Sequence, residues 1–472
     1  MTKFAFIQSH TLWVDLLGVM HLSSVLKQSG HETDIFFDNS RGSLASYLEK
    51  AAPDIVAFSV FASNNQWTLK SADFIKNKLH YNAPILLGGP HATFFPETIH
   101  QSAVDIVCRG EGELAIAELA DRIKKGLSYD NVANLWVKNN SNIFKNDPRP
   151  LVKNLDELPN PDRDIYSKYR YFRWTPVRFF IASRGCPFKC AYCFNHQYHE
   201  LYPDAGHITR FRSHERFIEE ILYVKSKYNL PIVYIEDDTF NLNKNWLYPF
   251  LEKFKQQVNL PFQCNLRLDL VDEDQASRLK KAGCDLIAFG LETGNEELRK
   301  KILKKNISNR EILNSCKLLK SYGIRIKANN MLGLPGETLK DAIETLQLNI
   351  DIHTDSSWVG LFQPFPGLEL TEYAIEHGHY YPADNDKIEK SIEVSFIRGK
   401  DTKRLTNLQK FFYFMTKYPK SMRFFIFITK FRNNILFKLF HKLWYVHYVY
   451  NYVGLSPYWF FRYALKHYNY NT

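Results

Sequence analysis

The sequence predicts an α/β protein: a doubly wound parallel sheet, then a partial (β/α)6 barrel, then a helical C-terminal extension. Two patterns predict this order. Short runs that are apolar throughout alternate with helical patterns over residues 1–125 and again over residues 175–370, as in parallel strands covered on both faces. A polar stretch rich in proline lies between the two regions, and an aromatic, basic stretch follows the second.

The composition is typical of a globular chain with more than one domain. Its 472 residues are 45% hydrophobic, which is enough for two sizeable cores and an appendage. The first residues lack the charged start, long apolar run and cleavage site of a signal peptide. Seven cysteines, three of them clustered, suit a reducing compartment. We therefore expect a cytoplasmic protein.

The first domain is predicted over residues 1–138, with a helix over Leu17–Gln28 and further helices between the later strands. Its predicted strands are Phe4–Gln8, Asp34–Phe37, Ile55–Val60, Ile85–Leu87 and Asp105–Val107. Ligands of such sheets bind beyond the carboxyl ends of the strands. Segments 59–65, 88–93 and 109–113 follow strands and are small, polar or glycine-rich. Glycines there let the backbone approach a large flat ligand.

The second domain is predicted over residues 175–380, after an ordered linker over residues 139–174, in which prolines block ladder and helix hydrogen bonds. Its predicted strands are Arg178–Ser183, Ile232–Glu236, Phe262–Leu266, Leu286–Gly290, Ile324–Met331 and Trp358–Phe362. Six βα units make a partial barrel whose site lies at the carboxyl ends of the strands.

Three cysteines, Cys186, Cys190 and Cys193, follow the first of these strands with the spacing C-x3-C-x2-C. Thiolates this close together favour a [4Fe–4S] cluster, and three ligands would leave the fourth iron open. A disulfide would leave one thiol over. A zinc site would need a fourth ligand, which His196 or His199 could supply.

The residues around this run favour the cluster over zinc. Tyr192 and Phe194 add apolar surface that would shield it and tune its potential. The remaining four cysteines are scattered and are predicted to be small core residues: Cys108, Cys264, Cys284 and Cys316.

The cysteine loop resembles the signature of the radical S-adenosylmethionine (SAM) superfamily. This resemblance implies that the open iron chelates SAM and that one electron cleaves SAM to methionine and a 5′-deoxyadenosyl radical. It also implies SAM contacts at Tyr192, Asp237, Asp238, Arg267, Glu292 and Asn329. Two alternatives stay open, namely helix capping by Asp238 with Asn241, and a surface ion pair between Arg267 and Asp269.

The first domain resembles the flavodoxin-like cobalamin-binding (B12-binding) domain that precedes many radical SAM cores. The resemblance lies in the runs 88–93 and 109–113, and it implies cobalamin contacts at Ser59, Ser63, Gly88, Gly89 and His91. The cobalt-binding motif D-x-H-x-x-G is absent, because Asp15-Leu-Leu-Gly18 has no histidine. This fits the radical SAM branch, but it also fits a domain that has lost cobalamin and only caps the barrel. His91 by itself is predicted to be a turn residue.

The C-terminal region, residues 381–472, is predicted to be helical. Residues 401–472 hold 12 Lys and Arg against one acid, so they account for the net charge of +11, and any affinity for polyanions should lie there. Residues 443–461 lack charges, but polar residues interrupt them and Tyr and Trp prefer the membrane interface to a membrane span. If residues 423–442 are projected as one helix, one side of that helix carries Arg423, Lys430, Asn434, Lys438, His441 and Lys442.

This region has two competing interpretations. In the first, the helix lies in a membrane interface, and the protein is then peripheral on the cytoplasmic face of that membrane. Alternatively, its aromatic face packs on the barrel. Nucleic-acid binding is less favoured, because the aromatic residues are not interleaved for base stacking.

These observations together predict a cobalamin-dependent radical SAM enzyme, most simply a methyltransferase acting at an unactivated carbon or phosphinate. Ring closure, rearrangement or oxidation with the same cofactors is one alternative, and a non-catalytic iron–sulfur protein is another. We expect a small-molecule substrate, or a lipid-like one if the tail contacts a membrane. We also expect a reducing electron donor of the flavodoxin or ferredoxin type.

Overall fold

The computed structural model describes residues 1–9, 15–204, 206–382, 394–431, 435–453 and 457. Two sheets follow one another along the chain, and three helices complete the described part of the C-terminal region. The predicted fold class is confirmed.

The first sheet has seven strands in the order β2-β1-β3-β4-β5-β6-β7. Their bounds are Lys3–Ser9 (β1), Glu32–Asp38 (β2), Ile55–Ser59 (β3), Ile85–Gly88 (β4), Ile106–Cys108 (β5), Leu135–Asn139 (β6) and Asn142–Lys145 (β7). The first five are parallel, and Phe4 of β1 pairs with both Thr33 and Ile55. The other two, β6 and β7, form an antiparallel hairpin that sequence reasoning missed and that extends beyond residue 138.

Helices cover both faces of this sheet, as the apolar strands predicted. They span Leu17–Gln28 (α1), Arg41–Ala51 (α2), Asn65–Asp73 (α3), Pro90–Phe94 (α4) and Glu113–Lys124 (α5). Separate apolar cores lie on the two faces. The linker contributes helix α6, Arg170–Trp174, and packs back onto the sheet. Its Tyr166 hydroxyl donates to Gln8 Oε1 at 3.0 Å.

The second sheet has six parallel strands in the order β15-β14-β13-β12-β11-β8, and it is open between β15 and β8. The strands are Phe179–Phe180 (β8), Val233–Ile235 (β11), Phe262–Asn265 (β12), Cys284–Glu292 (β13), Arg325–Leu332 (β14) and Ser356–Leu361 (β15). All six predicted strands are therefore present in order. A short antiparallel pair, Ser183–Arg184 (β9) and Arg210–Phe211 (β10), flanks the cysteine loop.

Seven helices follow these strands within the described residues: Asn195–Leu201 (α7), His214–Lys227 (α8), Lys244–Gln257 (α9), Glu273–Ala282 (α10), Asn309–Ser321 (α11), Leu339–Asp351 (α12) and Glu369–Glu376 (α13). Five of them begin at a side chain that accepts a backbone N–H, which fixes where each starts: Ser213, Asn243, Asp272, Ser308 and Thr338. The cap of α9 is thus Asn243, not Asp238 or Asn241.

Short 3₁₀ and π turns complete the regular structure: Ala62–Asn64, Phe74–Lys78, Pro96–His100, Leu155–Glu157, Leu268–Leu270, Leu298–Ile302 and Pro419–Ser421. The four scattered cysteines, Cys108, Cys264, Cys284 and Cys316, are all buried.

The C-terminal region folds into three helices, Thr402–Lys417 (α14), Met422–Ile428 (α15) and Ile435–Val453 (α16). Because α15 ends at Ile428, residues 423–442 do not form the single helix on which their charged side was projected. Of that set, Asn434 lies outside the described residues, as do residues 458–472. In the described ranges, no helix has the length and apolar character needed to cross a bilayer.

Helix α16 ends inside the half-barrel. The side chains of Tyr234, Gln263, Lys327 and Trp358 point away from the outer helices, and α16 packs against them. The Tyr448 ring lies 5.4 Å from the Trp358 ring, and Lys327 Nζ lies 3.5 Å from the centre of the Tyr452 ring. Gln263 Nε2 donates to the Tyr452 carbonyl at 3.0 Å. The aromatic face of the tail therefore packs on the barrel, toward the amino-terminal ends of its strands.

Candidate functional site

The cysteine loop is held rigidly at the carboxyl end of the second sheet. Gly185 opens it with φ +85°, and a Cβ there would lie 2.4 Å from the Ile208 carbonyl oxygen. Two histidines of α7 brace the loop from outside. His199 Nε2 lies 2.9 Å from the Cys186 carbonyl oxygen, and His196 Nδ1 lies 2.6 Å from that of Cys193. One ring nitrogen of each histidine is thus used for the loop backbone.

The three thiols of the loop lie close enough together to influence one another. Burial raises the pKa of the Cys193 thiol to about 11, and the neighbouring Cys186 and Cys190 raise it as well. Burial likewise raises the pKa of the Cys186 thiol. A metal cluster binds cysteines as thiolates. Because burial disfavours the thiolate form, these cysteines suit a ligand whose strong positive charge offsets that cost. Within the described ranges, no three His, Cys, Asp or Glu side chains stand close enough to share a single metal ion.

Polar side chains lie beside two of the three thiols, those of Cys186 and Cys193. Asn195 Nδ2 donates to Cys193 Sγ at 3.4 Å, and Thr239 Oγ1 lies 3.8 Å from Cys186 Sγ. Hydrogen bonds to cluster sulfurs raise the reduction potential of a bound cluster. The donor set therefore fits an iron–sulfur cluster.

Two adjacent carboxylates follow β11, and they have different surroundings. Asp237 is 1% exposed and accepts the Ala182 N–H at 2.9 Å and the Ser183 hydroxyl, so it supports the strand that enters the cysteine loop. Burial raises its pKa to about 6. Asp238 is exposed and accepts from Asn195 Nδ2 at 3.2 Å. The expected contacts of both with SAM stay predictions.

Three side chains meet beside the cysteine loop at the end of β13. The Tyr192 hydroxyl donates to Glu292 Oε1 at 3.0 Å, and Lys305 Nζ donates to the same oxygen at 3.1 Å. Lys305 also donates to the Gly290 carbonyl at 2.6 Å. A register shift between Gly290 and Glu292, with φ +66° at Glu292, turns this carboxylate into the barrel. Sequence reasoning found Tyr192 and Glu292 but missed Lys305.

The last two predicted SAM residues lie farther along the sheet. Arg267 forms a two-pronged ion pair with Asp269, with N–O distances of 3.0 and 2.8 Å, which is the alternative left open for it. Its guanidinium also lies 3.6 Å from the centre of the Phe188 ring in the cysteine loop. Asn329 lies in β14 opposite Gly290.

A cavity of about 540 Å³ separates the two sheets and opens on the cysteine loop. The second sheet lines it with Ser183, Arg184, Gly185, Cys193, Phe194, Asn195, Glu236, Asp237 and Asp238. The first sheet lines it with Ser59, Gly88, Gly89, Thr93, Gly110, Gly112 and the start of α1. The two domains thus share one site.

Three of the five residues predicted to bind cobalamin line this cavity, namely Ser59, Gly88 and Gly89. Gly89 has φ +91°, and a Cβ there would lie 3.0 Å from the backbone of Val60, so the loop cannot accept a larger residue without moving. Thr93 Oγ1 donates to the Gly89 carbonyl and accepts the Gly110 N–H at 3.1 Å, which ties the two glycine loops together. These bare backbones suit a large flat ligand.

The other two predicted cobalamin residues are not among the cavity's lining residues. Ser63 is exposed. The His91 ring packs 4.9 Å from the Phe95 ring, and burial lowers its pKa to about 4. A histidine that sequence reasoning missed, His21, does line the cavity, and its Nδ1 has no hydrogen-bond partner in the described part of the chain. Burial lowers its pKa well below the ordinary value, and nearby arginines add to the effect.

The glutamates of the run 109–113 join the two domains. Arg184, two residues before Cys186, donates to Glu111 at 3.1 Å and to Glu113 at 2.6 Å. Arg210 donates to both oxygens of Glu111, at 2.8 and 3.0 Å. Burial alone would raise the pKa of Glu111, but the two arginines hold it below its ordinary value. Sequence analysis assigned this run to ligand approach and missed its link to the cysteine loop.

Two family models match the chain. The model of the radical SAM superfamily matches residues 180–348, and the model of the B12 binding domain matches residues 10–120. The first match contains the cysteine loop, and the second contains the glycine loops that line the cavity.

Known proteins of similar sequence and structure span both domains. The uncharacterized methyltransferase PH0819 of Pyrococcus horikoshii is 29% identical over 367 residues, which are 76% of this chain and 78% of that protein. The cytidylyl-2-hydroxyethylphosphonate methyltransferase of Streptomyces wedmorensis is 22% identical over 78% of this chain and 79% of its own. The structure of the radical SAM methyltransferase TsrM of Kitasatospora setae, with cobalamin and a [4Fe–4S] cluster bound, superposes with a TM-score of 0.63. It covers 80% of this chain and 75% of its own at 16% identity, so it supports the fold.

Proposed function

We propose that this chain, which belongs to the radical SAM superfamily and carries an N-terminal B12-binding domain, is a cobalamin-dependent methyltransferase. One observation carries the proposal: the cavity brings the glycine loops of the first sheet face to face with the cysteine loop of the second. When bound, the cluster supplies the electron that cleaves SAM, and cobalamin carries the methyl group. The methyltransferase names of the two sequence relatives support this reaction.

The residues of the second domain hold the cluster and orient SAM. Cys186, Cys190 and Cys193 provide the thiolates. Glu292 is fixed by Tyr192 and Lys305, so its second oxygen is positioned to accept hydrogen bonds from SAM. Preorganised acceptors of this kind reduce the entropy lost when a flexible cofactor is bound.

The exposed Asp238 offers a further carboxylate beside the thiols, while the buried Asp237 positions the loop. Asp238 lines the cavity and lies near Cys186 and Cys193. A carboxylate here suits the SAM ammonium group, because the two groups carry opposite charges.

The first domain positions cobalamin against this centre. Gly88 and Gly89 approach it through their backbone, and Ser59 offers a hydroxyl beside them. Loss of the cobalt-binding motif leaves His21 as an imidazole that lines the cavity from α1. The substrate we propose is a small molecule that enters the same cavity, where the apolar walls exclude water and protect a radical.

A reducing electron donor of the flavodoxin or ferredoxin type completes the proposal. The cysteine loop carries exposed residues at Pro187 and Lys189, so the cluster lies near the protein surface. A lysine there favours an acidic partner.

The test uses the anaerobically reconstituted full chain with hydroxocobalamin, SAM and a chemical reductant. We expect about four iron atoms and one cobalamin per chain. We also expect S-adenosylhomocysteine and 5′-deoxyadenosine once a substrate is present. The variant with all three loop cysteines changed to alanine should lose iron, whereas Cys316→Ala should keep it.

5′-Deoxyadenosine and an altered substrate without S-adenosylhomocysteine would contradict methyl transfer and point to oxidation or rearrangement. Iron without retained cobalamin would contradict the role of the first domain.

A further inference from the structure

Helix α16 carries an apolar stripe on the face turned away from the protein. Leucines and similar residues recur at helical spacing and are exposed: Leu436, Leu439, Leu443, Val446 and Tyr450. With 3.6 residues per turn, these five positions lie within one face of the helix. Leu436 and Leu443 are 67% and 72% exposed, although leucine is usually buried.

The neighbouring helix α15 also exposes apolar side chains. Phe424 and Phe427 lie one turn apart and are 62% and 54% exposed, and Phe431 packs against Phe427 at 5.6 Å. The opposite side of α15 is packed, because Phe425 contacts the Phe440 ring of α16 at 5.3 Å. We call the exposed residues of α15 and α16, with Phe431, the apolar surface. Isolated exposed apolar residues are common, but contiguous ones mark an interaction site.

Basic side chains border the apolar surface. Exposed cations lie on both helices, on the turn between them and on the 3₁₀ turn before α15: Lys420, Arg423, Lys430, Lys438 and Lys442. The sequence has no Asp or Glu after Asp401. An apolar face bordered by cations complements a surface of acyl chains beneath anionic headgroups.

The rest of the molecule holds this surface rigidly. Helix α16 is anchored by Tyr448 and Tyr452 inside the half-barrel, and α14 packs beneath both helices through Phe411, which contacts Phe425 at 4.9 Å and Phe437 at 4.8 Å. One face of the tail thus packs on the barrel, and the other is exposed in the described residues. A rigid surface loses little conformational entropy on binding.

We propose that the apolar surface docks the protein on an anionic lipid bilayer, with α15 and α16 lying in the plane of the interface. The proposal is independent of methyl transfer, since it concerns where the enzyme works and not which bond it makes. It places the barrel beside the membrane, where a lipid-like substrate would be accessible.

The experiment measures sedimentation of the reconstituted full chain with vesicles of phosphatidylglycerol and phosphatidylcholine. We expect binding to the mixed vesicles, weaker binding to phosphatidylcholine alone, and release as salt is raised. The double variant Leu439→Ser/Leu443→Ser should bind at least about tenfold more weakly, because two leucines no longer insert. The double variant Lys438→Gln/Lys442→Gln should lose about fivefold for each lysine on anionic vesicles.

The matched control is Leu114→Ser/Leu127→Ser, which removes two exposed leucines from the first domain and should bind like the unchanged chain. Circular dichroism and iron content of each variant show whether it is folded. The proposal is overturned if the chain does not sediment with anionic vesicles, or if the Leu439→Ser/Leu443→Ser variant (the stripe variant) binds them as well as the control does. It is also overturned if light scattering shows a dimer that the stripe variant dissociates, because a second copy then covers the surface.

Discussion

Replacing Glu111 by glutamine should uncouple the cysteine loop from the first domain. The carboxylate accepts three hydrogen bonds from Arg184 and Arg210, and the side chains of Glu111 and Arg210 are 12% and 7% exposed. Glutamine has nearly the same shape but no charge, so two arginines would stay largely buried with one carboxylate fewer.

The size of the effect follows from these contacts. Breaking a buried ion pair by removing one partner costs about 3–5 kcal/mol. The lower end applies here, because Arg184 keeps Glu113 and is 23% exposed, and because the glutamine oxygen still accepts one bond. We therefore expect Glu111→Gln to lower the free energy of unfolding by about 2–4 kcal/mol at pH 7.

The effect should depend on pH in one direction. The pKa of Glu111 is lower in the folded chain than its ordinary value of 4.5. The carboxylate therefore stabilises the fold above about pH 4.5, and this contribution is lost as the pH falls through the folded pKa. The difference between the variant and the unchanged chain should shrink below pH 4.5.

The assay is urea unfolding combined with hydrogen exchange of residues 183–195. We expect a lower midpoint for Glu111→Gln and faster exchange in the cysteine loop. Glu200→Gln, which changes an exposed glutamate of α7, is the matched control. If both variants unfold at the same urea concentration and protect the loop equally, the carboxylate does not join the domains and the reasoning is refuted.

Three further predictions concern the site and its support. Lys305→Met should weaken SAM binding at least about tenfold with cluster content unchanged, because Glu292 loses its fixed position. Lys301→Met, which changes an exposed lysine, is the control. If isothermal titration gave the two variants equal affinity for SAM, this role of Lys305 would be contradicted. Gly89→Val should abolish cobalamin retention, measured from the visible spectrum, whereas exposed Gly42→Ala, whose Cβ meets nothing within 4 Å, should retain it. Buried Glu337 has its pKa raised to about 8 by burial, so its proton stabilises the fold at low pH and this benefit fades as pH rises from 4.5 to about 8. Glu337→Gln should therefore gain stability over the unchanged chain by up to about 1.4 kcal/mol per pH unit in that window, and a pH-independent difference in urea midpoints would refute this.

Local pattern was sufficient to predict most of the fold. The buried strands are apolar on both faces, so Ile55–Ser59 and Val233–Ile235 stand out without knowledge of their partners. The hairpin of β6 and β7 was missed because Asn142–Lys145 is mostly exposed and follows a polar turn. A linker and an edge hairpin are both polar, so composition alone does not distinguish one from the other.

The contacts that build the site could not be predicted in the same way. Glu111 and Arg184 are separated by 73 residues in the chain, and no spacing rule joins them. Lys305 meets Glu292 because of a register shift in β13, which the alternation of the strand does not reveal. The cysteine loop was predictable because its three thiols lie within eight residues, so the chemistry is local.

The position of α16 has a consequence for biosynthesis. Tyr448 and Tyr452 cover the inner face of the half-barrel, and they lie near the C-terminal end of the chain. A ribosome makes Cys193, the last cysteine of the loop, 242 residues before Ile435, the first residue of this helix. During translation the nascent barrel therefore stays open to water behind the loop, and its inner face can be closed only after α16 has been made. An oxygen-sensitive cluster inserted earlier would be exposed from both sides, so a productive order of assembly places cofactor loading after α16 has packed into the half-barrel.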